Sequence, residues 1–166
     1  MRQILIIGIL CITTLTFCQT AEDYYNEGND KAEKGDFISA IKDYSMAIKL
    51  NPKYSVAYFS RGLTKAKLQD YRGAISDNSI AIKLNPKYIY AYYNRGLAKG
   101  LMKNYHGAIA DFSKTIELDP SNYDAYYNRG FAKHNLNEFN GACSDWSKAG
   151  ELGDVSAYEM IKKYCN

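Results

Sequence analysis

The chain repeats itself every 34 residues, and this period limits what it can fold into more than any other feature of the sequence. Asn51-Pro52, Asn85-Pro86 and Asp119-Pro120 stand 34 residues apart, and so do Arg61-Gly62, Arg95-Gly96 and Arg129-Gly130. Ala40, Ala74, Ala108 and Ala142 keep the same interval, as do Tyr24, Tyr58, Tyr92 and Tyr126. Four units follow, 21–54, 55–88, 89–122 and 123–156. Each carries two stretches whose apolar residues are spaced by three and four, the pattern of amphipathic helices. In the third unit these are roughly Ile89–Met102 and Tyr105–Leu118. The proline of each Asn-Pro or Asp-Pro pair closes the second helix, because it cannot continue one. Asp36, Asp70 and Asn104 precede the second helices and suit the capping of their free N–H groups. Gly28, Gly62, Gly96 and Gly130 fall in mid-helix, where glycine costs about 1 kcal/mol against alanine. The expected compensation is close approach of the paired helix at Ala40, Ala74, Ala108 and Ala142. A single hairpin cannot bury its own apolar face, so the units must stack.

This spacing of an aromatic, a glycine, an alanine and a proline on a 34-residue period resembles the tetratricopeptide repeat. The resemblance covers nearly all of the chain from residue 21 onward. It implies an all-α fold, a right-handed α-solenoid of four helical hairpins. The fourth unit departs from the pattern: Asp154 stands where proline is expected, and Gly150-Glu151-Leu152-Gly153 makes a turn. Val155 to Tyr164 then reads as one more amphipathic helix, with Val155, Tyr158, Ile161 and Tyr164 on one face. A capping helix within 154–166 would cover the open end of the stack.

The resemblance reads Tyr24, Tyr58, Tyr92 and Tyr126 as core, and turns the residues after them toward a concave groove. The candidate partner-binding residues there are Tyr25, Asn29, Phe59, Tyr93, Asn94, Tyr127, Asn128 and Phe131, with Asn26, Ser60, Leu63 and Leu97 beside them. Tyrosine offers contact area at low entropic cost and asparagine can bond a peptide backbone. The same side chains would serve equally well to pack neighbouring first helices together. Some members of the family clamp a C-terminal carboxylate with two cations and several asparagines. The corresponding positions here, Tyr25, Asn29, Ser60, Tyr90 and Asn94, supply asparagines but no cation, which disfavours a chaperone-tail adaptor of that kind.

Composition narrows the function further. With 166 residues, 46% of them hydrophobic, the chain can build one real core. A net charge of +3 and a pI near 8.5, without a run of Lys or Arg, argue against nucleic acid as a partner. His106 and His134 are the only histidines, are read as exposed, and belong to no metal or nucleophile motif. No catalytic residue, metal or cofactor is expected, so the chain is not read as an enzyme. Arg61, Arg95 and Arg129 recur with Asp43, Asp77, Asp111 and Asp145, as an ion-pair ladder that sets the register of the repeats. Whether each arginine pairs within its own unit or with the preceding one is left open.

The first residues follow a different rule. Arg2 is followed by an almost wholly apolar run, Ile4 to Phe17, shorter than the roughly 20 residues of a spanning helix. A charged start, a short apolar stretch and a small residue at its end are the marks of a signal peptide, residues 1–18, with cleavage after Cys18 or alternatively after Thr20. Leu15-Thr16-Phe17-Cys18 also approximates a lipidation signal at Cys18, although Phe17 stands where a small residue is usual. A retained membrane anchor is the third alternative. All three put the repeats outside the cytoplasm of a bacterium: periplasmic, envelope-associated or secreted, with no membrane span after cleavage. Loss of Arg2 leaves a net charge of 20 − 18 = +2. Cys143 and Cys165 remain, and in an oxidising compartment they are expected to form a disulfide that ties the cap to the body. The expected function is an exported, monomeric scaffold that binds an unidentified protein or peptide through the groove. The alternative is a structural or assembly component of the envelope that works through its ends or convex face, with or without a lipid anchor.

Overall fold

The computed structural model describes residues 19–165; the expected leader, with Cys18, lies outside them. The described residues form nine α-helices: α1 (Ala21–Glu33), α2 (Phe37–Leu50), α3 (Ser55–Lys67), α4 (Tyr71–Leu84), α5 (Ile89–Leu101), α6 (Tyr105–Leu118), α7 (Tyr123–Asn135), α8 (Phe139–Glu151) and α9 (Val155–Tyr164). Helices pair as α1/α2, α3/α4, α5/α6 and α7/α8, and each even-numbered helix packs on the next odd one. The result is an all-α solenoid. None of these helices is long and apolar enough to cross a membrane.

Short-range chemistry sets the helix ends. The Asp36, Asp70 and Asn104 side chains accept from the backbone N–H groups of Ser39, Gly73 and Gly107, and Asn122 and Asp154 cap α7 and α9. Thr20 and Asp23 form a reciprocal capping box that starts α1.

The interior is built from small residues plus one large residue per unit. Ala40, Ala74, Ala108 and Ala142 on the even helices, and Ala57, Ala91 and Ala125 on the odd ones, are fully buried. Tyr44, Asn78, Phe112 and Trp146 occupy the large position, each no more than 2% exposed. These residues, more than the alanines, explain the mid-helix glycines. A Cβ on Gly28 would lie 2.7 Å from the Tyr44 ring, on Gly96 2.8 Å from Phe112, and on Gly130 2.8 Å from Trp146. At Gly62 the nearest group is the Asn78 amide at 3.0 Å. The tyrosines read as core are only half-buried; Tyr58, Tyr92 and Tyr126 lie under the guanidinium of the arginine one turn on, at 5.6, 5.7 and 5.5 Å.

Those arginines settle the pairing that spacing left open. Arg61, Arg95 and Arg129 each make a two-pronged bond to the aspartate of their own unit, Asp77, Asp111 and Asp145, at 2.6–2.9 Å. The remaining prong donates to Ser45, Ser79 or Ser113 of the preceding unit at 3.0 Å. Lys65, Lys99 and Lys133 add a second cation to each aspartate at 2.8 Å. One guanidinium thus fixes a hairpin and joins it to its neighbour, with the buried carboxylate fully paired. The first unit has Glu27 in place of the arginine, and among the described residues Asp43 there pairs with Lys31 alone.

α9 closes the stack with a face that keeps Ile161 and Tyr164 of the one its sequence suggests and replaces Val155 and Tyr158 by Ala157 and Met160. Ala157, Met160, Ile161 and Tyr164 pack against Ala142, Trp146 and Ala149, while Val155 and Tyr158 are 79% and 55% exposed. Cys143 and Cys165 are joined by a disulfide with Cα atoms 5.7 Å apart, which staples the end of the cap to α8. His134 is not exposed as expected. It is half-buried among the rings of Phe139, Trp146 and Tyr164, with centroids 5.4, 5.8 and 4.3 Å away, whereas His106 is exposed.

Candidate functional site: a groove along the first helices

Residues one helical turn apart on α1, α3, α5 and α7 point to the same side, and adjacent odd helices leave a depression between them. Three such depressions follow one another. The first, of about 480 Å³, is lined by Asn29, Glu33, Tyr44, Leu63, Thr64 and Lys67 among others. The second, of about 250 Å³, shares Leu63 and Lys67 with it and adds Tyr71, Asn94, Leu97 and Leu101. The third, of about 140 Å³, shares Leu97 and Leu101 with the second and is completed by Gly100, Tyr105, Phe112, Asn128 and Phe131. The shared residues make the row continuous.

Four of the eight candidate residues, Asn29, Asn94, Asn128 and Phe131, line this row. The other four lie half-buried beside it and carry packing. The Tyr25 ring meets Tyr44 and Tyr54 at 5.9 and 5.2 Å, and Phe59 meets Tyr88 at 4.9 Å. Tyr93 meets Phe112 at 5.8 Å, and the Tyr127 carbonyl accepts from the Trp146 indole at 3.2 Å. Burial, with the negative charge of Asp124 as a smaller cause, pushes the Tyr93 phenol up to about 12, so it stays neutral and accepts from Asn128 at 3.1 Å.

The asparagines differ in what they have left to offer. The Asn29 carbonyl accepts from the Tyr44 hydroxyl at 2.9 Å, which leaves its amide N–H groups as donors. Asn94 and Asn128 each donate to the carbonyl four residues back, Tyr90 and Asp124, at 2.8 Å, which leaves their side-chain carbonyls as acceptors. A peptide backbone presents both donors and acceptors and can use both ends of the row. Lys67, Gly100 and Leu101 were not among the residues singled out from sequence. Lys67 and Leu101 lie one turn beyond Leu63 and Leu97, so extending the helical period once more would have found them. Among the described residues no three His, Cys, Asp or Glu side chains gather to hold a metal ion.

Comparison with known proteins agrees with this architecture. Two family models described as tetratricopeptide repeat match residues 89–122 and 112–144. No curated protein matches the chain. The crystal structure of MamA protein is 26% identical, with a TM-score of 0.82 over 85% of this chain and 78% of that one. The first TPR of Spaghetti (RPAP3), bound to the HSP90 peptide SRMEEVD, is 27% identical with a TM-score of 0.70 over 71% and 94% of the two chains. YrrB, described as a TPR protein with an unusual peptide-binding site, is 23% identical with a TM-score of 0.78 over 86% and 74%, a likeness of fold. The period, the stacked hairpins and these matches together make this chain a tetratricopeptide-repeat protein.

Proposed function

We propose that the protein is an exported scaffold that captures an extended peptide segment of a partner protein along α1, α3, α5 and α7. The continuous row of depressions carries this reading, because it joins backbone-bonding amides to exposed apolar side chains, with Leu101 and Phe131 63% and 48% exposed. The RPAP3 domain, similar over most of its length, holds a peptide. The Cys143–Cys165 disulfide supports an oxidising location, and the apolar leader supports export. The test is capture from envelope extract by the chain without its leader and by a variant carrying Tyr93→Ala and Asn94→Ala. Loss of capture with an unchanged helical circular dichroism spectrum supports the groove; equal capture by both proteins sinks it. Mass analysis of the native protein should show loss of about 2 kDa for a leader of typical length, and an intact Met1 on a protein recovered from the cytosol would refute export.

A further inference from the structure

Gly100 is the one helical glycine among the described residues that packing does not require. A Cβ there would meet nothing nearer than the Ala108 Cβ at 4.0 Å, whereas a Cβ on each of the other helical glycines would lie within 3.2 Å of a neighbour. The first two units have Ala32 and Ala66 at the same register. A glycine inside a helix lowers its stability, so Gly100 weakens α5 with no packing gain in return. What the missing side chain does create is room in the third depression. That pocket, of about 140 Å³, is walled by Leu97, Leu101, Tyr105, Phe112 and Phe131. An apolar cavity of about 150 Å³ takes a benzene-sized group. Leu101 and Phe131 at its mouth are largely exposed, so it opens onto the groove.

The adjoining depression supplies the second constraint. Lys67 is its only charged lining residue, and among the described residues that ammonium forms no ion pair, resting 5.8 Å from the Phe37 ring centroid. Glu33 lines the first depression on the far side of Lys67. A negatively charged ligand group is therefore favoured on the Gly100 side of Lys67 and opposed beyond it. Lys67 also lies outside the positions of the family's carboxylate clamp. Resting on the peptide-capture reading, we infer that the ligand is a segment of a partner protein that seats one Leu-, Ile- or Phe-sized side chain beside Gly100 and an acidic side chain against Lys67. The charged wall next to the pocket favours such a segment over an acyl chain, which would meet Lys67 and Asn94 with hydrocarbon.

The experiment uses the chain without its leader and fluorescein-labelled octapeptide libraries with one position fixed as Leu, Phe, Ala or Lys and a nearby one as Asp, Ala or Lys. The wild type should prefer a Leu or Phe anchor with an acid. Gly100→Leu fills the pocket in open space with a better helix former. Its Tm should stay the same or rise by about 2–4 °C, while affinity for the preferred library falls about tenfold or more. Gly100→Ala should give a smaller loss without lowering Tm, and decides the matter if the leucine variant fails to fold. Lys67→Glu should replace the preference for Asp with one for Lys. Binding that Gly100→Leu leaves intact, yet Tyr93→Ala with Asn94→Ala abolishes, would overturn this inference and keep the groove. No peptide binding at all would overturn both. A dimer that Gly100→Leu dissociates, or vesicle binding that it abolishes, would overturn the inference in favour of a second copy or a lipid.

Discussion

Arg95 shows how much one position contributes to the stack. Its guanidinium ties Asp111, whose side chain is only 4% exposed, to Ser79 of the unit before. Arg95→Ala removes three hydrogen bonds but leaves Asp111 paired with Lys99. The expected loss is about 1–3 kcal/mol in urea denaturation. Lys114→Ala breaks a pair with Glu117 whose side chains are 36% and 66% exposed, and should cost less than about 0.5 kcal/mol in the same measurement. Equal costs would mean that the ladder is ornamental. Asp124 gives a pH signature. The side chain is exposed, yet partial desolvation by its surroundings, and secondarily the charge of Asp154, raise its carboxyl above the usual value. A raised folded-state value means that the folded chain holds this proton more tightly than the unfolded chain. The residue's contribution therefore falls as pH rises through that value. Asp124→Asn should raise Tm at pH 7, with the difference disappearing as the pH drops below the ordinary aspartate range; a Tm difference that persists there would contradict the assignment. At this scale the sequence revealed which arginines and aspartates recur but not how they pair. The lysine and serine partners keep the same period, yet only the packing of adjacent hairpins brings them to the same carboxylate and guanidinium.

Helix boundaries were readable because they depend on local groups: the proline pairs, the Asp and Asn caps and the spacing of apolar residues. The orientation of α9 was not. Val155, Tyr158 and Ile161 form an apolar series at a spacing of three, but of these only Ile161 enters the contact with Trp146 and Ala149. Ala157 is fully buried in that contact with Met160, Ile161 and Tyr164 around it, while Val155 faces solvent and Tyr158 lies at the edge, its hydroxyl donating to the Gly150 carbonyl at 3.2 Å. The burial of His134 was hidden for a similar reason, since its ring neighbours come from α8 and α9 and only Phe139, five residues on, is close in sequence. The disulfide was foreseeable from the pairing of α8 with the cap. Substituting both Cys143 and Cys165 by serine should cost about 3 kcal/mol in the chain-entropy account of a loop this size, and reducing the native protein should give the same shift in urea. Trp146, the only tryptophan, is 0% exposed beneath the cap. Truncation after Asp154 should move its emission to the red and promote aggregation; unchanged emission from a monomer would show that α9 is dispensable.

Across the whole molecule each hairpin touches mainly its neighbours, so the stack transmits register from unit to unit and the odd helices are held side by side. The period makes that much predictable from sequence. The groove was less so, because half of its predicted residues are used in packing between helices, and because its most enclosed pocket depends on a side chain that is missing at Gly100. The central claim is that this face, and not the outer helices or the ends, receives the partner. The most direct test is a backbone amide shift map of the chain without its leader, titrated with a peptide selected from a displayed random library. Perturbations concentrated at Leu63, Lys67, Asn94, Leu97, Leu101, Asn128 and Phe131 are the predicted result. Perturbations on the outward faces of α2, α4, α6 and α8, or confined to α9, would contradict it.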